Sequence, residues 1–164
     1  MLKGLLNKKN SSKIEEVLSP IFGDVIPLSE VPDPVFAQKM IGDGIAIIPK
    51  SGKVVSPVNG EVIQVFPTKH AIGIRSKKGL EILIHIGLET VELNGEGFEV
   101  LVSSNQHVKT GDTLANVNLE YLKSKNKDII TPIIITNMEK VLNVEPNNKH
   151  EITWGDLLLS CNIK

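Results

Sequence analysis

Aromatic side chains are scarce in this chain: four Phe, one Tyr and one Trp among 164 residues. That leaves too few rings for a base-stacking platform. Charge of one sign is missing too. Eighteen basic residues face nineteen acidic ones for a formal net charge of −1, so no broad cationic field exists to hold nucleic acid. The single cysteine, Cys161, excludes an intrachain disulfide and reads as an inert thiol near the C-terminus rather than a nucleophile. No apolar run reaches the roughly 18 residues a membrane-spanning helix needs, and no cleavable signal pattern opens the chain. A single cytoplasmic domain is expected, long enough to bury roughly two thirds of its unfolded surface.

What is present is β pattern. Short β-branched runs at Ile45 to Ile48, Glu61 to Val65, Ile72 to Arg75, Glu81 to Ile86, Val100 to Val102 and Ile129 to Ile135 alternate with glycine-bearing punctuation. Gly42-Asp43-Gly44, Ser51-Gly52-Lys53, Val58-Asn59-Gly60, Lys77-Lys78-Gly79 and Thr110-Gly111-Asp112 read as tight turns using the positive φ of glycine, with Asn59-Gly60 the strongest hairpin signal. Pro20, Pro27, Pro32, Pro34, Pro49, Pro57 and Pro67 belong at strand starts, edges and loops. Only Leu119 to Lys125 suggests a helix. Many short strands without long intervening helices predict an all-β fold, a compact antiparallel β-sandwich or barrel with at most one or two short helices. Residues 1–13 stand apart, with Lys3, Lys8, Lys9 and Lys13 and no acid. They read as a basic, flexible tail, although Leu2, Leu5 and Leu6 at helical spacing also suit peripheral contact with an anionic membrane.

Two histidines fifteen positions apart carry the chemical interest: His70 in Phe66-Pro67-Thr68-Lys69-His70-Ala71 and His85 in Leu83-Ile84-His85-Ile86-Gly87. Side chains alternate faces along a strand, so Ile82, Ile84 and Ile86 claim the core and His85 faces the other way beside Leu83. His70 shares the parity of Ile72 and Ile74 but follows Pro67, so parity does not place it. An unprotonated imidazole is nucleophilic near neutral pH and makes a labile phosphoryl acceptor. A second imidazole can donate an N–H to the phosphoryl oxygens, a hydroxyl such as Thr68 can fix that ring, and the carbonyl of Gly87 can lock the tautomer of the first. The residues alone leave a phosphohistidine site and a metal site both open.

The stretches from Phe66 to Ile74 and from Gly79 to Phe98 closely resemble the glucose-type enzyme IIA of the bacterial phosphoenolpyruvate-dependent sugar phosphotransferase system. The similarity extends through Asp33-Pro34-Val35-Phe36-Ala37, Gly42-Asp43-Gly44, Gly111-Asp112 and Thr131-Pro132, and makes residues 14–164 the expected domain, in free-standing form. The resemblance implies that His85 is phosphorylated, that His70 helps pass the phosphoryl group on, and that Thr68 hydrogen-bonds within that pair. It implies an apolar docking patch of Val35, Phe36, Ile41, Phe66 and Leu83, flanked by Asp43 and Glu89. Glu89 departs from the family's usual aspartate: its charge is kept on an arm one methylene longer. Implied partners are HPr as donor and the IIB domain of a IICB sugar permease as acceptor, with other transporters or kinases regulated by the unphosphorylated form. No cofactor is required, though His70 and His85 can share a zinc ion with a partner's carboxylate.

Two rival classes are weaker. Val55 to Val62 and Val108 to Leu114 look like half-motifs of a biotinyl or lipoyl carrier domain, but the chain lacks the hairpin-tip lysine in its Met-Lys-Met or Asp-Lys-Ala setting; Asn137-Met138-Glu139-Lys140 is no substitute. A zinc hydrolase needs three protein ligands, whereas His107 and His150 read as lying in polar turns with no paired ligand motif.

Overall fold

The computed structural model describes residues 13–164; apart from Lys13, the tail reading of residues 1–13 lies outside them. Among the described residues the strands form three antiparallel sheets around one main core. The largest has eight strands, in the order β13-β2-β3-β11-β7-β6-β5-β9. Its members are β2 (Gly23–Ile26), β3 (Asp43–Pro49), β5 (Gly60–Val65), β6 (Ala71–Ser76), β7 (Glu81–His85), β9 (His107–Val108), β11 (Thr131–Ile135) and β13 (Glu151–Ile152). A second sheet joins β1 (Ile14–Leu18), β14 (Leu157–Ile163) and β12 (Val141–Pro146), and a third joins β4 (Lys53–Val55), β10 (Thr113–Val117) and β8 (Phe98–Val100). Among the described residues there are two short α-helices, α1 (Pro34–Ala37) and α2 (Leu119–Ser124), beside three 3-10 turns. The all-β expectation holds, and no described helix is long and apolar enough to cross a membrane.

Period-two alternation explains the layering. Ile45 and Ile47 of β3, Ile133 and Ile135 of β11, Ile82 and Ile84 of β7, and Ile72 and Ile74 of β6 point inward and are buried together with Val17, Leu114 and Leu159 from the smaller sheets. The opposite face of the large sheet would lie bare, but residues 28–37 fold over it. There Leu28, Val31 and Phe36 bury a smaller cluster with Ala46, Leu88 and Ile134, against which Leu83 packs.

Several turn expectations need correcting. Gly42-Asp43-Gly44 is not a turn, because β3 begins at Asp43. Neither glycine has positive φ. A Cβ at Gly44 would stand 1.9 Å from the Ile133 carbonyl oxygen, so glycine is there to let two strands approach. Asn59-Gly60 does not close a hairpin: β4 pairs with β10, whereas β5 pairs with β6 and β9. Gly52 likewise has no positive φ. Only Gly79, in the β6–β7 turn, and Gly111 use the left-handed conformation expected of them. Pro34 opens α1 at its first position rather than a strand or loop, where its missing N–H has no partner to lose.

Candidate functional site

The β6–β7 hairpin sets the site. In its register Ala71 lies opposite His85, and Gly73 opposite Leu83. With Ile82 and Ile84 in the core, Leu83 and His85 project onto the opposite face, as strand parity requires, and His85 is half-buried there. His70 reaches the same place by breaking the strand pattern. Lys69 takes a left-handed φ of 62°. A tight loop closes as Lys69 N–H donates to the Phe66 carbonyl at 2.8 Å and Phe66 N–H donates to the Ala71 carbonyl at 3.1 Å. Extended parity would have aimed His70 at the core. The reversal at Lys69 instead brings its ring to 4.9 Å from that of His85, edge to face at 80°.

Each imidazole is tethered through Nδ1. His85 Nδ1 lies 2.8 Å from the Gly87 carbonyl oxygen; since a carbonyl only accepts, Nδ1 carries the proton and Nε2 keeps its lone pair. His70 Nδ1 lies 2.8 Å from Thr68 Oγ1, so its Nε2 is again the ring nitrogen left over. Burial lowers the pKa of His85, with the Gly87 carbonyl and the Asp33 carboxylate pulling it back. His70, 4% exposed, is brought to about 4 by burial first and by neighbouring His85 second. Both rings are therefore neutral at pH 7. One neutral imidazole with a free lone pair beside a second, oriented imidazole suits group transfer between nucleophiles.

The surroundings are built by local rules. Asp33 caps α1, accepting a 3.0 Å hydrogen bond from Val35 N–H, and the helix lays the Phe36 ring 4.9 Å from His85. Phe66 stands 5.4 Å from His70. Gly87 has φ +76°, and a Cβ there would lie 2.6 Å from Thr90 Cγ2 and 2.8 Å from the Asp128 carbonyl oxygen; only glycine presents its carbonyl to His85 at this spot.

Not all of the expected apolar patch lies at the surface. Phe36, expected on it, is only 4% exposed and belongs to the cluster beneath. The apolar rim consists of Val35 at 39%, Met40 at 69% and Ile41 at 36% exposure, with Leu83 and Phe66 half-buried. Asp43 is paired with Lys39 at 3.3 Å. Glu89 is exposed and left-handed, φ 58°. Beside it a shallow cleft of about 310 Å³ is lined by Asp33, Glu89 and Asp128 among others.

His107 and His150 are both exposed, His107 within β9 rather than in a turn; neither joins a group of metal-ligating residues among the described residues. Cys161 is fully buried, and burial pushes its thiol up to about 12. Sequence reading missed Asp33, whose carboxylate acts on His85, and the exposed Met40 next to Val35. The Asp-Pro dipeptide ahead of an apolar pair, a helix-start pattern, was the signal that could have placed Asp33 at a cap; nothing marked Met40 as exposed.

Three comparisons bear on this geometry. The family described as phosphoenolpyruvate-dependent sugar phosphotransferase system, EIIA 1, matches residues 15–141. A protein named PTS system glucose-specific EIIA component from Staphylococcus aureus (strain COL) is 48% identical over 157 residues, covering 95% of each chain. A namesake from Staphylococcus epidermidis (strain ATCC 12228 / FDA PCI 1200) is 46% identical with the same coverage. Among solved structures, glucose permease IIA from Mycoplasma capricolum superposes with a TM-score of 0.85 at 45% identity, covering 90% of this chain and 96% of that one.

Proposed function

This chain belongs to the EIIA 1 family of the phosphoenolpyruvate-dependent sugar phosphotransferase system, and from that premise we propose that it receives a phosphoryl group on His85 Nε2 from phospho-HPr and passes it to the IIB domain of a sugar permease, glucose being the sugar named for its relatives. At the coarser level it is a phosphotransferase component with a phosphocarrier role in sugar uptake. The observation that carries the finer reading is the tethering of both rings through Nδ1. It leaves His85 Nε2 with its lone pair, on a half-buried ring 4.9 Å from that of His70.

Loading proceeds by attack of that lone pair on the phosphorus of phospho-HPr: a P–N bond to His85 forms as the P–N bond to the donor histidine breaks. Positive charge building on the His85 ring is met by the Gly87 carbonyl at Nδ1–H. Thr68, donating its hydroxyl proton to His70 Nδ1, leaves His70 Nε2–H to hydrogen-bond the phosphoryl oxygens while the group moves. Val35, Met40 and Ile41 are the apolar contacts a partner covers, and Asp43 and Glu89 meet its basic residues. Such a protein works in the cytoplasm, and its unphosphorylated form is available to regulate transporters or kinases.

The same pair supplies two nitrogen ligands for zinc. No group of three or more His, Cys, Asp or Glu that could hold a metal occurs among the described residues, so a tetrahedral ion here would take a carboxylate from a docked partner. On this chain His70 and His85 would be the residues that hold it, and it would supply an added link to the docked partner. A zinc hydrolase, needing three ligands from the chain itself, has no support in this donor set. The carrier-domain alternative has none either, because Lys140 lies between β11 and β12, which do not pair with each other.

The test is incubation with phosphoenolpyruvate, enzyme I and HPr, followed by mapping of acid-labile, base-stable phosphate. The label is expected at His85, and His85→Gln is expected to take none while keeping its unfolding midpoint. Full labelling of that variant would falsify the assignment.

A further inference from the structure

We propose that Asn94–Gly95 is a deamidation site of the native protein and that the fold spares the chain's other Asn–Gly dipeptide, Asn59–Gly60. Asparagine followed by glycine is the most labile asparagine setting, because no side chain at the next position shields the peptide nitrogen. The Gly95 amide nitrogen, losing its proton to base, attacks Asn94 Cγ. An N–C bond forms, the bond from Cγ to Nδ2 breaks, and ammonia leaves with a proton. Water then opens the five-membered imide at either carbonyl, giving isoaspartate or aspartate at position 94 and one new negative charge.

The two dipeptides share this chemistry and differ in environment. Asn59 is held at both ends: its side-chain Oδ1 accepts from Thr110 N–H at 2.8 Å and its carbonyl accepts from Lys77 N–H at 3.1 Å. Gly60 is ladder-paired on both sides, to Ser76 of β6 and Val108 of β9. The backbone rotation that brings nitrogen to Cγ would break both ladders.

Asn94 ends the short 3-10 turn Thr90–Leu93 in a left-handed conformation, φ 52° and ψ 37°, and is exposed. Its side chain makes no hydrogen bond among the described residues, and Gly95 N–H donates to none of them. Two of the three bonds holding the segment are long, Asn94 N–H to the Val91 carbonyl and Phe98 N–H to the Gly95 carbonyl at 3.3 Å each, and the third, Glu96 N–H to the Leu93 carbonyl across the dipeptide, is 3.1 Å, against a usual value near 2.9 Å. Gly95 and Gly97 follow at φ +89° and +91°. The required opening is local and breaks little. The site adjoins the histidine loop: a Cβ at Gly95 would stand 3.4 Å from Lys69 Cδ, so the new charge arises alongside the stem of the residue preceding His70.

The experiment ages the full native chain in mildly alkaline buffer and follows it by ion-exchange chromatography, peptide mass mapping and enzymatic isoaspartate methylation. Expected are an isoform more acidic by one charge, isoaspartate in the peptide containing position 94 in clear excess over that containing position 59, and loss of that isoform in Asn94→Gln. In guanidinium both positions should convert alike, showing that the fold makes the choice. Conversion at 59 equal to that at 94 in the native chain, an unmodified position 94, or the same bias in guanidinium would overturn the proposal.

Discussion

His70 carries the clearest consequence of a single residue's surroundings. Its pKa falls from the usual 6.5 to about 4 on folding, so between these values the unfolded chain binds a proton that the native chain does not. Stability must then decline as pH falls from 6.5 toward 4, by roughly 3 kcal/mol if the whole shift is expressed. Urea unfolding across this window should show that decline, and His70→Gln should flatten it; an unchanged slope would mean that the ring is solvated. In catalysis the same ring is proposed to serve the forward step more than loading. His70→Gln should still accept label from phospho-HPr but deliver it to IIB more slowly by about 2 to 4 kcal/mol in barrier, the scale of one preorganised donor. Thr68→Ala should show a milder form of that defect. Rapid-quench measurement of the two half-reactions separates the steps, and wild-type delivery by His70→Gln would make His70 a bystander.

Helix α1 shows how one small element serves the site. Four residues make a marginal helix on their own. This one is held by the Asp33 cap, by Pro34 at its first position and by Phe36 anchored in the outer cluster. Asp33→Ala should cost about 1 kcal/mol of stability through the lost cap, whereas Asp33→Asn, which can still accept the bond, should cost less. Phe36→Ala should cost about 3 kcal/mol by opening a cavity beside His85. This is a different expectation from that of a surface docking residue, whose removal would leave stability nearly unchanged. Denaturant titration of the three variants distinguishes them, and an unaltered midpoint for Phe36→Ala would contradict its burial.

At the scale of the whole molecule, the large sheet separates the core from the proposed docking surface. Its inner face closes over isoleucines; its outer face carries His85, and the segment folded against that face exposes a rim of Val35, Met40 and Ile41, Met40 most of all. With net charge near zero, long-range attraction contributes little, and partner affinity is expected to rest on that rim. Met40→Ser should weaken HPr and IIB binding by about 1 to 2 kcal/mol without shifting the unfolding midpoint. Asp43→Asn should mainly slow association at low salt. Calorimetric titration showing equal affinity for Met40→Ser would place the contact elsewhere.

Much of this was open to reading along the chain. Alternation over residues 81–86 placed Leu83 and His85 on the outer face because a strand leaves each residue only two sides to choose from. Lys77-Lys78-Gly79 was a hairpin turn because glycine takes positive φ without penalty, as Gly79 does. The pairing of the histidines was legible only as a family likeness. The approach of His70 depends on the reversal at Lys69, a residue with no intrinsic preference for that conformation, which the Phe66–Ala71 loop closure imposes. Asn59-Gly60 misled for the same reason. Its dipeptide suits a hairpin locally, but β4 finds its partner in β10, and the requirement at Gly60 comes from the Arg75 carbonyl oxygen, 2.0 Å from where a Cβ would stand. Local conformational preference is written residue by residue; which carbonyl, ring or strand arrives from far along the chain is settled only when the core closes. That closure buried Phe36, left Met40 at the surface and brought two imidazoles into contact.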